Sequence, residues 1–179
     1  MSNTEQISKI NEELLAAYDA SWESILTNAA IEAVSGSTGL EVELVKSESK
    51  HQMPLELPPE TYVSGIVGVN AGQIVGTINL MFPKETILKI AQTVYDREIT
   101  EVDRSTLDCV GEMTNITYGV FKRGTDENKF SLQSSLPCVV LGNHTVVSLV
   151  STRYFSADYK VEGGLPFRVS LVLHTNLFK

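Results

Sequence analysis

Two runs rich in β-branched residues, 62–69 and 73–82, are separated only by Asn70, Ala71 and Gly72. So short a connection predicts a hairpin, with Asn and Gly available where the turn needs positive φ. Pro83 follows at once and predicts a helix in which Pro takes a tolerated first position, with Ile87, Leu88, Ala91 and Val94 on one face. A second helix is expected from about 102–103 to 122, capped by Thr100, Asp103 or Ser105. Past the polar loop 122–128, strands are expected at 129–136, 139–141, 146–154 and 167–174. Strands and helices thus arrive in blocks rather than in strict alternation, which predicts an α+β fold with a mostly antiparallel β-sheet and long helices packed on it.

Upstream, residues 4–34 carry helical apolar spacing, through Ile7, Ile10, Leu14 and Tyr18, then Trp22, Ile25, Leu26, Ala29 and Ala33. Small residues at 35–39 end that segment, so 1–39 reads as a helical N-terminal part with room for a break near 19–21. Residues 40–45 alternate apolar and acidic side chains like a half-buried strand, and the proline-rich stretch 49–60 reads as a connection. A chain of 179 residues, 42% of them apolar, suits one domain with a packed core.

Composition excludes several classes of function. Fourteen Lys and Arg against 22 Asp and Glu leave a formal charge of −8, which argues against a nucleic-acid partner tracked through its phosphates. No basic region followed by an apolar run opens the sequence, and no stretch approaches the roughly 20 apolar residues that span a bilayer, so neither export nor a membrane is expected and the location is read as cytoplasmic. Cys109 and Cys138 make no disulfide framework, and His51, His144 and His174 lie too far apart in sequence for a zinc pattern. In that setting the glycosylation-like triplets at Asn115 and Asn143 are chance matches.

The helix over 105–122 holds the chemistry. At about 100° per residue, Leu107, Cys109, Val110, Met113, Thr114, Ile116, Thr117, Tyr118, Val120 and Phe121 fill one wide arc. Asp108, Glu112, Asn115 and Gly119 fall on a narrow polar ridge, because neighbours at i+3 and i+4 point the same way. Gly111 and Gly119 flank it, each costing up to ~1 kcal/mol relative to Ala inside a helix. Small residues beside a polar ridge fit a surface that another molecule approaches closely; the alternative is a solvated face with Gly119 packed on a strand. Cys109 lies in the apolar arc and reads as a small buried hydrophobe rather than a nucleophile.

The spacing of Asp108, Glu112, Asn115 and Pro137 resembles the pattern of the CheC/CheX family of chemotaxis phosphatases: Asp or Ser, three residues, Glu, two residues, Asn, twenty-one residues, Pro. A chance match of all four positions has odds on the order of a few in a thousand. GEMTNITYG at 111–119, LPCVVLG at 136–142 and the glycine-punctuated hairpin before them are similar to the same family, over about residues 60–178. No second Glu-x-x-Asn occurs in the N-terminal helix, so the likeness is to the single-site CheX type.

That resemblance implies an aspartyl-phosphate phosphatase acting on a phosphorylated CheY-type response regulator. It further implies Glu112 and Asn115 as the catalytic pair, with Asn115 orienting the attacking water and Glu112 meeting the regulator's lysine. Asp108 would contact the partner or anchor the helix, Gly111 and Gly119 would contact the partner, and Pro137, lacking a ladder donor, would shape the entry to its strand. It implies no cofactor of the chain's own, Mg²⁺ coming with the regulator, and a homodimeric state. The competing expectation is a non-catalytic scaffold akin to flagellar-switch proteins of the same domain type; a ligand-sensing module has no motif to support it.

Overall fold

The computed structural model describes residues 21–50, 61–71, 74–127, 131–144 and 153–175. The hairpin forms β2 (Val63–Ala71) and β3 (Ile74–Phe82), paired antiparallel from Val63↔Phe82 to Ala71↔Ile74. Asn70 and Ala71 therefore belong to the strand rather than to the loop expected at 70–72, and the joining positions 72 and 73 lie outside the described residues. Around this hairpin the sheet is wholly antiparallel. Its order is β1 (Val42–Lys50), β6 (Arg153–Val161), β7 (Leu165–Thr175), β3, β2, and the outer edge of β2 carries both β4 (Gln133–Ser134) and β5 (Cys138–Leu141). The α+β class expected from the block order is the class observed.

Alternation decides which side of the sheet meets the helices. Val63, Val67 and Val69, Ile78, Leu80 and Phe82, Phe155 and Tyr159, and Phe167, Val169 and Leu171 are buried in one cluster with helix residues. Phe82, Phe167 and Tyr159 stack across three strands with centroids 5.4 and 4.7 Å apart. At about 25 cal/mol per Å² of apolar area, such contiguous burial is the main force holding the layers together. The opposite residues are also buried and largely polar: Ser64, Asn79, Ser156 and Ser170. There Asn79 Nδ2 donates to Ser170 Oγ at 3.1 Å, while Arg168 donates to both Asp158 oxygens across β6 and β7.

Among the described residues three helices cover the apolar face: α1 (Ser21–Thr38), α2 (Lys84–Tyr95) and α3 (Arg104–Glu127). The expected helix over 4–34 is described only from Ser21, the remainder and the possible break lying outside the described residues. Pro83 precedes α2 as its cap residue, with extended backbone, rather than standing first within it. The face α2 buries is Thr86, Ile87, Ile90 and Ala91; Val94 is exposed, which shifts the expected stripe by one residue.

The longest helix among the described residues, α3, runs five residues beyond the expected stop at Lys122, so most of the polar loop 122–128 is helical. Tertiary contacts outweigh the local polarity and the glycine. A Cβ at Gly124 would stand 2.6 Å from Ile25 Cγ2, so only glycine lets α1 approach there. Trp22 meets Phe121 edge-on at 5.6 Å, Thr125 is buried, and Lys122 Nζ donates to Leu132 O at 2.9 Å.

Other differences fall in the strands. Of the expected strand 129–136 only Gln133–Ser134 pairs, and 128–130 lie outside the described residues. Of 146–154 only Arg153 and Tyr154 are described, and the strand they begin continues to Val161. The strand expected over 40–45 runs from Val42 to Lys50 and is mostly exposed, as an edge with one neighbour among the described residues is.

Candidate functional site

Asp103 starts α3. Its Oδ1 accepts from the Thr106 backbone N–H at 3.0 Å and from the Thr106 hydroxyl, while the Thr106 Oγ1 accepts from the Asp103 N–H at 3.2 Å. That is a reciprocal capping box with Thr in the third position, and it selects Asp103 over Thr100 and Ser105 as the cap. These bonds to Thr106, then Arg97, hold the Asp103 carboxyl below its ordinary range. Arg97 braces the same corner, 3.3 Å from Asp103 and 2.7 Å from Ser105 Oγ.

From that start the helix is clamped to the sheet by its buried face. Cys109, Val110, Met113, Thr114, Thr117 and Phe121 are all buried, as the apolar arc requires. Burial pushes the Cys109 thiol up to about 11, so it stays protonated and is no nucleophile at neutral pH. Thr114 Oγ1 donates a hydrogen bond to Val110 O at 2.7 Å and packs on β2 at Gly65, where a side chain has no room.

Asp108, Glu112 and Asn115 all emerge on the opposite face and are exposed. Among the described residues Glu112 and Asn115 make no hydrogen bond or ion pair. One helical turn apart, their Cβ atoms are separated by about 5–6 Å. Asp108 lies 3.9 Å from Arg104 Nε, with both side chains mostly in water, a pairing worth little. Because Met113 and Thr114 are 1% and 0% exposed, the backbone that carries Asn115 is fixed while its amide stays free.

The two glycines of the ridge differ. A Cβ at Gly111 would make ordinary contact with Val139 Cγ2 at 3.8 Å, so that position sits beneath β5. At Gly119 a Cβ would meet no atom of the described residues within 4 Å, so no described strand packs against that position. Pro137 stands half-buried just before β5, and Val139 two residues later pairs with Gly65 directly over α3. The strand thereby borders the ridge.

Three residues that matter here were not singled out from the sequence. Gly65 sets how closely α3 approaches the sheet. Ser135 accepts from Gly68 N at 2.9 Å and donates its backbone N–H to Gly68 O at 3.1 Å. Leu136, beside Pro137, is 91% exposed. Among the described residues no three His, Cys, Asp or Glu side chains converge as a metal site requires. No helix among them is long and apolar enough to cross a membrane.

The family model described as chemotaxis phosphatase CheX matches residues 63–157, which include β2, β3, α2, α3 and Pro137. No curated protein sequence matches the chain. Among solved structures, a CheC-like superfamily protein from Shewanella sp. PV-4 superposes with a TM-score of 0.79 at 18% identity, over 87% of this chain and 99% of that one. Chemotaxis protein CheX from Vibrio vulnificus gives 0.78 at 20% identity, over 87% and 100%. CheX from Borrelia burgdorferi, solved as a complex with CheY, BeF3 and Mg²⁺, gives 0.69 at 20% identity, over 84% and 96%. At these identities the likeness establishes the fold.

Proposed function

The chain belongs to the chemotaxis phosphatase CheX family, and from that premise we propose that it hydrolyses the aspartyl phosphate of a CheY-type response regulator through Glu112 and Asn115. The observation that carries the reading is the pair itself: two exposed side chains without partners among the described residues, on a backbone pinned by buried neighbours. A solvated helix face shows the same exposure, and what sets this pair apart is its place in the Asp108, Glu112, Asn115 and Pro137 spacing within the region that the family model matches.

The chemistry asks for placement more than for reactive groups. Water attacks phosphorus in line, the bond from phosphorus to the aspartyl oxygen breaks, and the regulator's carboxylate leaves with inorganic phosphate as the second product. Such a step is governed by positioning and by stabilisation of charge. The Asn115 amide oxygen would accept from the water while its NH₂ donates to a nearby acceptor, and being neutral it does not repel phosphate. Glu112 would be repelled by phosphate, so it is assigned to the cation beside it, the regulator's lysine, where it fixes the docked geometry. Asp108 would extend this contact along the ridge, and the open space at Gly119 would let the regulator come close. Mg²⁺, which the Borrelia complex contains together with CheY, would come with the regulator and neutralise charge on the phosphoryl oxygens.

The test is the decay of phosphorylated regulators from the same organism, with and without this protein. Faster loss of phosphate from at least one of them is expected. Binding without acceleration would replace the enzyme by a scaffold, and unchanged decay across the whole set would end the reading.

A further inference from the structure

Between β4 and β5 the chain takes one residue more than β2 needs. Ser134 pairs with Val69 and Cys138 with Ile66, so Ser135, Leu136 and Pro137 face only Gly68 and Val67. This is a bulge, a device that re-aims side chains at a sheet edge. It is held in place: Ser135 exchanges two hydrogen bonds with Gly68, and its hydroxyl also donates to Leu136 O at 3.1 Å. The outcome is a leucine 91% exposed on a fixed backbone.

The bulge lies alongside the ridge. Val139 contacts α3 at Gly111, and Leu132 accepts from Lys122 Nζ eleven residues further along the helix. In the chain Leu136 falls between those two anchors, on an edge held to α3 at both ends. It also falls within a stretch, 131–143, that contains no charged residue in a chain of formal charge −8. Cys138, Val140 and Leu141 continue the exposed apolar border. Sheet edges are ordinarily protected by lysine or other charges, and an uncharged apolar edge marks a contact surface.

Resting on the function proposed above, we infer that Leu136 is a docking anchor for the response regulator, seated in an apolar depression beside the regulator's phosphorylation site. Two properties favour this occupant over a second copy of the chain adding a strand at the edge. Pro137 offers no N–H and the bulge breaks the ladder, so backbone pairing is impeded where Leu136 projects, whereas a side-chain knob is unaffected. The edge that carries the knob is also anchored to the helix whose side chains are assigned to the chemistry, which suits a single partner covering both. Charge and apolar contact then divide the work: Glu112 and Asp108 meet cationic groups, and Leu136 supplies desolvated area at the border, as interface anchors do.

The experiment compares wild type, Leu136→Ser, Leu136→Met and Val45→Ser in steady-state dephosphorylation of the regulator. Val45 is a matched control, 49% exposed on β1 at the far edge of the sheet. The expected result is that Leu136→Ser raises KM about tenfold, as loss of an interface anchor does, with kcat held. Leu136→Met restores most of the affinity, and Val45→Ser matches wild type. Binding to the beryllofluoride-activated regulator should weaken in parallel, with the melting temperature and sedimentation unchanged. A KM for Leu136→Ser within about twofold of wild type would overturn the inference while leaving the function standing. A changed oligomeric state with unchanged KM would overturn it in favour of self-association. Failure of wild type to accelerate any regulator would remove the function and this anchor together.

Discussion

Thr114 of α3 lies so close to Gly65 of β2 that a side chain at 65 would overlap Thr114 Oγ1 and stand 3.1 Å from Thr114 Cβ and Val110 Cγ1. Thr114 immediately precedes Asn115, so this contact sets the height of the proposed catalytic amide above the sheet. Gly65→Ala is therefore expected to cost about 1–3 kcal/mol through overpacking, measured by urea denaturation. Phosphatase activity should fall further than the folded fraction does, because a backbone displacement is passed directly to Asn115. Adding Thr114→Ala should recover part of both losses; strict additivity in that double-mutant cycle would show that the two positions do not act through each other.

Gly119 separates stability from recognition. With no atom of the described residues within 4 Å of its Cβ direction, Gly119→Ala should stabilise the helix by about 0.5–1 kcal/mol, the difference in helix propensity. The same methyl stands where the regulator is proposed to approach, so KM should rise as the melting temperature rises. A variant that is more stable and equally active would remove Gly119 from the docking surface.

Asp158 and Arg168 carry an acid-dependent part of the stability. Burial raises the Asp158 carboxyl, but the Arg168 guanidinium, followed by Lys46, more than offsets this and leaves it below 3.8. The folded state then binds fewer protons than the unfolded one. The contribution is complete above the unfolded value and is lost as pH falls below about 3.8 through the folded value. Asp158→Asn leaves Arg168, with its side chain only 12% exposed, short of its charge partner. We expect a loss of about 2 kcal/mol at neutral pH, below the full cost of a buried pair because water reaches part of it. The acid limb of the stability curve should flatten in the same variant.

The ridge was legible before any coordinates because helical periodicity alone places Asp108, Glu112 and Asn115 on one side, and the buried Met113 and Thr114 leave them no other. The strand Arg153–Val161 could also have been read, since Phe155, Ala157, Tyr159 and Val161 alternate with Ser156, Asp158 and Lys160. The far end of α3 could not: Gly124 and Thr125 remain helical because Ile25 and the core receive them, and that partnership spans most of the chain. Leu136 was hidden for the opposite reason. In an apolar stretch it looks like core, and what ejects it is the bond between Ser135 and Gly68, 67 residues apart. Local pattern therefore revealed the polar site, whereas its apolar border depends on strand register.

The central claim is that Asn115 places water while Glu112 places the partner. It is tested most directly by measuring loss of phosphate from the cognate phosphorylated regulator with wild type, Asn115→Ala and Glu112→Ala, alongside binding of each to the beryllofluoride-activated regulator. Both side chains are exposed, so neither truncation should disturb the fold. Asn115→Ala is expected to reduce turnover at least about a hundredfold, the scale seen when a positioning group is lost, while still binding. Glu112→Ala should chiefly weaken binding. Retention of full turnover by Asn115→Ala would contradict the account.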